Sequence, residues 1–359
     1  MTKVYCTGRG VVTPVGNTPS EVFRAVREGR SALRMYPGFP EPWLASLLDR
    51  AGFEGPDFFE NIAIEAARKA VAEAGINPSD ERTGFILSTI KGKVEALDKS
   101  YVSLAASARI IADALGVSTP PVVVSNACIS GLAALLQGMR MLRSGAYDHV
   151  IVVGAEVQSR FIVTGFQSLK ALSTEPCRPF DADREGLNLG EAAAAMVLSR
   201  EKGNYELVDG CIRNDANHIS GPSRTGEGSY KALRYVLESL GEDRLAFVNV
   251  HGTATPYNDE MEATALERAG LSPDVPVNAL KGVFGHTMGA AGILETIVSM
   301  EALDRGIVLP TRGYEHSGVS HPIAVSAEEK PADGNAFIKL LSGFGGVNGA
   351  LLLRKGGER

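Results

Sequence analysis

With 359 residues, 44% of them hydrophobic, the chain is long enough to bury a large core in one or two domains. A formal net charge of −6 gives bulk electrostatics no support for nucleic-acid binding, and no apolar run reaches the length of a membrane span. Cys6, Cys128, Cys177 and Cys211 lack the paired short spacing of a disulfide framework or zinc knuckle, and "MTKVYCTGRGVV" lacks the charged-then-apolar order of a signal peptide; a cytoplasmic, reducing setting is expected.

In chain order, "KVYCTG" reads as a strand and "PSEVFRAVREG" as a helix. Residues 36 to 60, rich in Pro, Gly and aromatics, read as an irregular surface excursion. A helix is predicted over Asn61 to Ala74, then strands in "GFILSTI", "PVVVSNA" and "HVIVVGAE". The second half repeats the style with "AAAAMVLSR", "YELVDGCI", "AFVNVHG" and "VPVNAL", a helix over Ala290 to Asp304, and a closing antiparallel hairpin in "AFIKLLSGFGGVNGALLLRK". Alternation of this kind predicts an α/β protein with covered sheets. "SREKGNYEL" marks a boundary near residue 203, giving similarly built halves, 1–203 and 204–359, without detectable sequence identity between them.

Within "PPVVVSNACISGLAALLQGMRMLRSG", Val122 to Val124 read as a short, fully buried strand. From Ile129 apolar residues follow helical spacing, and Gly145 ends the segment as a C-cap. Cys128 therefore falls on a strand-to-helix turn, where free helix N–H groups and the helix dipole favour an anion and should lower a thiol's pKa. His251 in "FVNVHGTATPYNDEMEA" and His286 in "VNALKGVFGHTMGAAGILETI" sit at strand ends beside Gly252 and Gly285. Cysteine with histidine is the arrangement of nucleophilic acyl transfer. The spacings match no common metal-ligand pattern, so no metal is expected.

These residues carry a resemblance. "GRGVVTPVGNTPSEVFRAVREGRSAL", "SNACISG", "LSTEPCRPFDADREGLNLGEAAAAMVL", "VHGTATPYND", "KGVFGHTMGAAG" and "GFGGVNG" run in family order nearly end to end. The chain resembles an elongating (type I/II) β-ketoacyl-acyl carrier protein synthase. That resemblance implies the thiolase fold, with two similarly built halves of stacked mixed sheets and helices in layers. It implies decarboxylative Claisen condensation of malonyl-acyl carrier protein with an acyl chain held on Cys128, in fatty acid or polyene/polyketide biosynthesis.

Carried over by position, Cys128 takes the acyl thioester, and His251 and His286 hold the malonyl carbonyl and stabilise the enolate. Lys281 matches the family lysine five residues before the second histidine. Glu295 and Asp259 match acidic positions that organise this lysine and its loop. Thr253 and Thr255 match positions that bind the phosphopantetheine arm. Phe344 gives its N–H to the acyl oxyanion hole, shared with Cys128, and its ring gates the pocket. Leu187 stands where many relatives have a pocket Phe. No cofactor is implied beyond the 4'-phosphopantetheine that arrives on the carrier protein.

The carrier protein is the expected partner, with Lys91, Lys93 and Lys99 as candidate docking cations and Arg68 and Lys69 behind them. A homodimer is implied, with a heterodimer with another synthase subunit as the alternative; neither nucleic acid nor membrane is expected as a partner. Thiolases use a second cysteine near the C-terminus, the initiating synthases have Asn at the second imidazole, and chain-length factors lack the nucleophile; none of these patterns is this one. The competing reading is a non-catalytic, chain-length-factor-like partner subunit. The chain is shorter than typical members, mostly before "FFENIAIEAARKA" and just after it, and "KGVFGH" departs from the usual run, which bears on substrate rather than chemistry.

Overall fold

The computed structural model describes residues 2–37, 41–51, 53, 57–97 and 102–356. The first half runs β1 (Tyr5–Val12), α1 (Pro19–Arg27), β2 (Arg34–Tyr36), β3 (Trp43–Ser46), α2 (Phe58–Ala74) and β4 (Thr83–Ser88). It continues with α3 (Leu104–Ala114), β5 (Val122–Val124), α4 (Ser130–Arg143), β6 (His149–Glu156), α5 (Arg160–Ser168), β7 (Leu189–Gly190) and β8 (Ala192–Ser199). The second half begins with β9 (Tyr205–Asn214), α6 (Glu227–Glu238), β10 (Leu245–Asn249), α7 (Pro256–Arg268), β11 (Pro276–Asn278), α8 (Lys281–Phe284) and α9 (Ala291–Asp304). It closes with β12 (Ile307–Val308), β13 (Ala324–Val325), β14 (Lys330–Pro331), β15 (Ala336–Gly343) and β16 (Val347–Lys355).

An 11-stranded sheet runs β13-β11-β10-β15-β16-β9-β1-β8-β6-β4-β5. Cut between β9 and β1, it yields the same order of five strands in each half, β5-β4-β6-β8-β1 and β11-β10-β15-β16-β9, with β13 added in parallel beyond β11. The directions repeat too. β4 is parallel to β5 and β6, then β8 and β1 are antiparallel; β10 is parallel to β11 and β15, then β16 and β9 are antiparallel. Within the sheet the halves join through a short β1–β9 pairing, Tyr5 with Glu206 and Cys6 with Tyr205. The duplication invisible in residue identity is plain in topology.

Period-two side chains sort the core into layers. Val150 and Val152 of β6, with Leu351 and Leu353 of β16, face a central cluster containing Leu132 and Leu136 of α4 and Ile293 and Ile297 of α9. Their neighbours Ile151 and Val153 face α2 on one outside, and Ala350 and Leu352 face α6 on the other. Helices α4 and α9 are therefore sandwiched between the half-sheets, as the near-continuous burial of Ala291 to Leu303 requires.

Some expectations change. The excursion at 36–60 contains a real strand, β3, which pairs with β2 and β7 because Leu44 to Ser46 find a buried slot. Helix α2 starts at Phe58, earlier than Asn61, since burying Phe58 and Phe59 extends the apolar face. Val122 to Val124 form a strand but not a fully buried one. β5 is the sheet's last strand, with a neighbour on one side only, and all three residues are half-buried.

The N-termini of α4 and α9 meet at glycines. A Cβ on Gly292 would lie 2.4 Å from the Leu132 nitrogen, and one on Gly131 2.9 Å from the Gly289 oxygen. Neither helix can carry a methyl group there without moving its partner. Gly292→Ala is expected to destabilise the protein by about 1–3 kcal/mol in urea denaturation, as overpacked interiors do. Gly29→Ala, with open space at its Cβ but a φ of 65°, should cost only the local backbone strain. Equal, negligible effects would mean that the helices slide apart freely.

Candidate active site

Cys128, His251 and His286 come from three separate loops, and one ligand-type atom from each lies within 4.8 Å of the others. Each loop leaves the C-terminal end of a parallel strand: β5 for Cys128, β10 for His251, β11 for Lys281 and His286. Ligands gather at such strand ends in α/β proteins. Just before the cysteine, Ala127 adopts left-handed backbone, φ 45°, a strained turn that helps aim Cys128 away from its own helix. Ser130 braces the turn, accepting from the Asn126 N–H at 2.7 Å and donating to the Ala127 carbonyl at 2.6 Å.

The histidines are held through their backbones. The N–H groups of His251 and Gly252 each donate to Glu262 at 2.7 Å, one to each carboxylate oxygen. The His251 carbonyl accepts from Lys281 Nζ at 2.5 Å. His286 donates to the Asn188 carbonyl at 2.7 Å and accepts from the Gly190 N–H at 3.1 Å. Gly190 has to be small, because a Cβ would lie 2.0 Å from the Phe284 oxygen.

The rings meet edge to face, centroids 5.0 Å apart at 81°. His286 Nδ1 accepts from the Met288 N–H at 3.3 Å, so the ring proton sits on Nε2, which has no protein partner. Burial first, then the charges of Lys281 and Lys339, hold both rings well below the ordinary histidine pKa; His286 adds to the effect on His251. At neutral pH both imidazoles are uncharged. A cysteine with two histidines is also a zinc-type donor set, but a metal needs a nitrogen lone pair, and the His286 tautomer points an N–H at the site instead. The constellation suits an oxyanion.

Lys281 is fully buried and pairs with Glu295 at 2.7 Å. The other Glu295 oxygen is taken by a second buried ammonium, Lys339. Burial works to raise the Glu295 pKa, but the two lysines outweigh it and hold it below the usual range.

Asp259 does not touch the lysine. It organises the loop, accepting from the Phe180 N–H at 2.7 Å and the Thr253 N–H at 3.1 Å, and burial raises its pKa. Thr253 and Thr255 share a hydrogen bond of 2.9 Å beside it. The N–H groups of Phe344 and Cys128 are both directed at the Cys128 sulfur, and the Phe344 ring, 37% exposed, packs on Phe166 at 5.8 Å. Leu187 is buried in a core cluster with Leu189 and Met288.

The expected depression of the Cys128 thiol is not found. Burial pushes it up to about 12, against the Lys281 charge and the two N–H groups, because the sulfur is almost dry at 6% exposure. The helix-end position supplies donors but not enough to offset desolvation.

Among the docking candidates, Lys91 is exposed on the loop after β4. Lys93 is committed: it pairs with Asp57 and lies 3.6 Å from Glu60. Lys69 is likewise engaged, with Glu65 at 2.8 Å and the Asn17 carbonyl at 3.0 Å, while Arg68 is exposed on α2. Lys99 lies outside the described residues.

Three residues escaped the sequence reading. Lys339 was signalled by a lone charge inside the apolar strand "AFIKLLSG"; Glu262, whose pKa burial and Asp259 raise to about 7, lies one helical turn beyond Asp259. Glu156, at the end of β6, is raised by burial to about 8, and its Oε2 is buried without a partner.

Known proteins match this chain along its length. The beta-ketoacyl synthase N-terminal domain family matches residues 49–204, and the C-terminal domain family residues 205–315. A 3-oxoacyl-[acyl-carrier-protein] synthase 2 of Coxiella burnetii is 28% identical over 98% of each chain. The tetracenomycin polyketide synthase ketoacyl synthase alpha subunit of Streptomyces glaucescens is 28% identical over 98% of this chain and 97% of its own. Among solved structures, the ishigamide ketosynthase/chain length factor has a TM-score of 0.90 at 26% identity, covering 99% of this chain and 100% of that one.

Because the Cys128 thiol is protonated at rest, its alkylation by iodoacetamide should climb about tenfold per pH unit above neutrality, following the thiolate. Peptide mapping after brief labelling reads this out. A rate already at plateau by neutral pH would mean that an imidazole holds the proton.

Proposed function

The chain belongs to the beta-ketoacyl synthase family, and from that premise we propose that it condenses a malonyl unit on an acyl carrier protein with an acyl chain held on Cys128. One observation carries the reading: a cysteine and two neutral imidazoles within 4.8 Å, with His286 Nε2–H facing the site unpartnered. Cys128 attacks the carbonyl of the incoming thioester, and the N–H groups of Cys128 and Phe344 hold the developing oxyanion. As the carrier's phosphopantetheine sulfur departs, it takes up the proton that Cys128 gives up. Loss of carbon dioxide from the malonyl group leaves an enolate, whose oxygen is met by the imidazole N–H donors. The enolate carbon then attacks the thioester carbonyl, and the Cys128 sulfur departs. Neutral imidazoles suit this task, because an imidazolium would protonate the carbanion before it reacted. The steps need no metal or resident cofactor, and the phosphopantetheine arm passes by Thr253 and Thr255. Retention of Cys128 with its histidines argues against a chain-length-factor-like, non-catalytic subunit.

Each half, 1–203 and 204–359, acts as a unit in this scheme, the first supplying the nucleophile and the second the His/His/Lys group. The half-buried edge of β5 supports association through that strand, as a homodimer or with a chain-length-factor-type partner, since an unpaired strand edge invites pairing. Among the described residues no helix is long and apolar enough to cross a membrane, and the unpaired cysteines support a cytoplasmic setting. The pathway is fatty acid or polyketide in type.

Intact-mass analysis with a panel of acyl-carrier thioesters should find one acyl adduct, absent in Cys128→Ala. His286→Ala should cut condensation by roughly a hundredfold or more, as loss of an oxyanion donor does, while acylation survives better. Equal loss of both steps would make His286 the base for the thiol. Lys91→Glu should raise the KM for carrier-bound substrate and leave a free acyl-pantetheine almost unaffected, because rim charges act on encounter. An equal effect on both substrates would place docking elsewhere.

A further inference from the structure

Lys339 is a fully buried lysine in the middle of strand β15. Its neighbours on the same strand face, Phe337 and Leu341, belong to the central apolar cluster, while Ile338 and Leu340 point to the opposite cluster, under α6. An apolar side chain there would complete the layer, and a dry ammonium is costly unless every donor is met. All three are. Lys339 Nζ donates to Asn249 Oδ1 at 2.6 Å, to the Val250 carbonyl at 3.1 Å, and to Glu295 Oε2. Glu295 Oε1 is the oxygen that holds Lys281.

One carboxylate thus serves two ammonium groups, leaving excess positive charge behind the histidines. Val250 and Asn249, held by Lys339, lead directly into His251. The Lys339 amine is linked on three sides to the machinery that places His251 and Lys281, and its three acceptors are neither the thiol nor an imidazole.

We propose that Lys339 is a positioning residue of the condensing site: through Glu295 it fixes Lys281 on the His251 carbonyl, and through Asn249 and Val250 it holds the backbone that leads into His251 while the enolate forms. This rests on the decarboxylative reading above. The groups facing Lys339 are Glu295 from α9, Lys281 from α8, Glu262 from α7, and the two histidines; its β16 partner in the sheet register is Leu351. Burial lowers its pKa to about 8, against the pull of Glu295 and with the repulsion of Lys281. The ammonium is therefore present below that pH and lost above it. Decarboxylation should fall across a range where acylation, which needs the Cys128 thiolate, still rises.

Malonyl-carrier decarboxylation and Cys128 acylation are measured separately from roughly pH 6.5 to 9.5, for wild type and Lys339→Met, with thermal melting to establish folding. In wild type, decarboxylation should decline through about pH 8 while acylation climbs. Lys339→Met should decarboxylate about tenfold more slowly or worse near neutral pH, acylate within about threefold of wild type, and lose the alkaline decline. Equal loss of both half-reactions in a folded variant, or an alkaline decline that persists without Lys339, overturns the proposal. If Lys339→Met does not fold, the wild-type profile decides: decarboxylation that stays flat or rises past pH 8 overturns it. A wild type that acylates Cys128 but never releases carbon dioxide from malonyl carrier instead sinks the condensing reading itself.

Discussion

Everything at the site depends on how closely two helix N-termini approach. Helices α4 and α9 come from different halves, and each would hold the other off by a side chain if Gly131 and Gly292 carried one. Without a Cβ, backbone rests on backbone, and the loops before each helix are carried into contact. Cys128 rides on one loop, and His286 on the turn that leads into the other. Close packing makes this distance a property of the interior rather than of the loops, because a packed core does not deform by small steps. The loops can therefore be short and strained, as at Ala127, and still hold their side chains in place.

The buried charges follow a related constraint. Glu295, Glu262, Lys281 and Lys339 are all almost fully buried, so none has water to balance it. Each is answered by another member or by backbone groups, the arrangement a dry site demands. The same dryness sets the titration of the reacting groups in opposite directions. It raises the thiol and lowers the imidazoles, so each favours its neutral form. A site that rests uncharged at its reacting atoms, with charge fixed one layer behind, is prepared for a negative charge that appears only during reaction. That is preorganisation in its electrostatic sense.

Much of this was legible in the sequence, and the exceptions share a cause. Strand and helix periodicity located the central elements, because α4, α9, β6 and β15 are each dictated by burial along their own length. Cys128, His251 and His286 stood out because each lies where a run of one period gives way to another, whereas Lys281 was marked only by the family resemblance. Pairing was not legible. Whether Val122 to Val124 had one neighbour or two depends on strands far away in the chain. The thiol's pKa was misread for the same reason: the helix end is local, whereas the desolvation that outweighs it comes from both halves. Lys339 and Glu262 were missed because their roles lie in partners reached only after folding.

The repeated topology explains why the site is divided as it is. In each half, the strand that follows β4 or β10 in the parallel set, β5 or β11, delivers the chain toward a central helix, α4 or α9. Duplication alone would place equal chemistry at both ends. The two ends differ instead: the first half presents a sulfur, which in the proposed reaction becomes an electrophilic thioester, and the second a set of donors placed to hold a nucleophilic enolate. Condensation requires these opposite characters a bond length apart at reaction. Putting them on separate loops, joined by a glycine contact too tight to widen, satisfies both demands. The fold brings the partners together; the division of residues between halves keeps them chemically distinct until they meet.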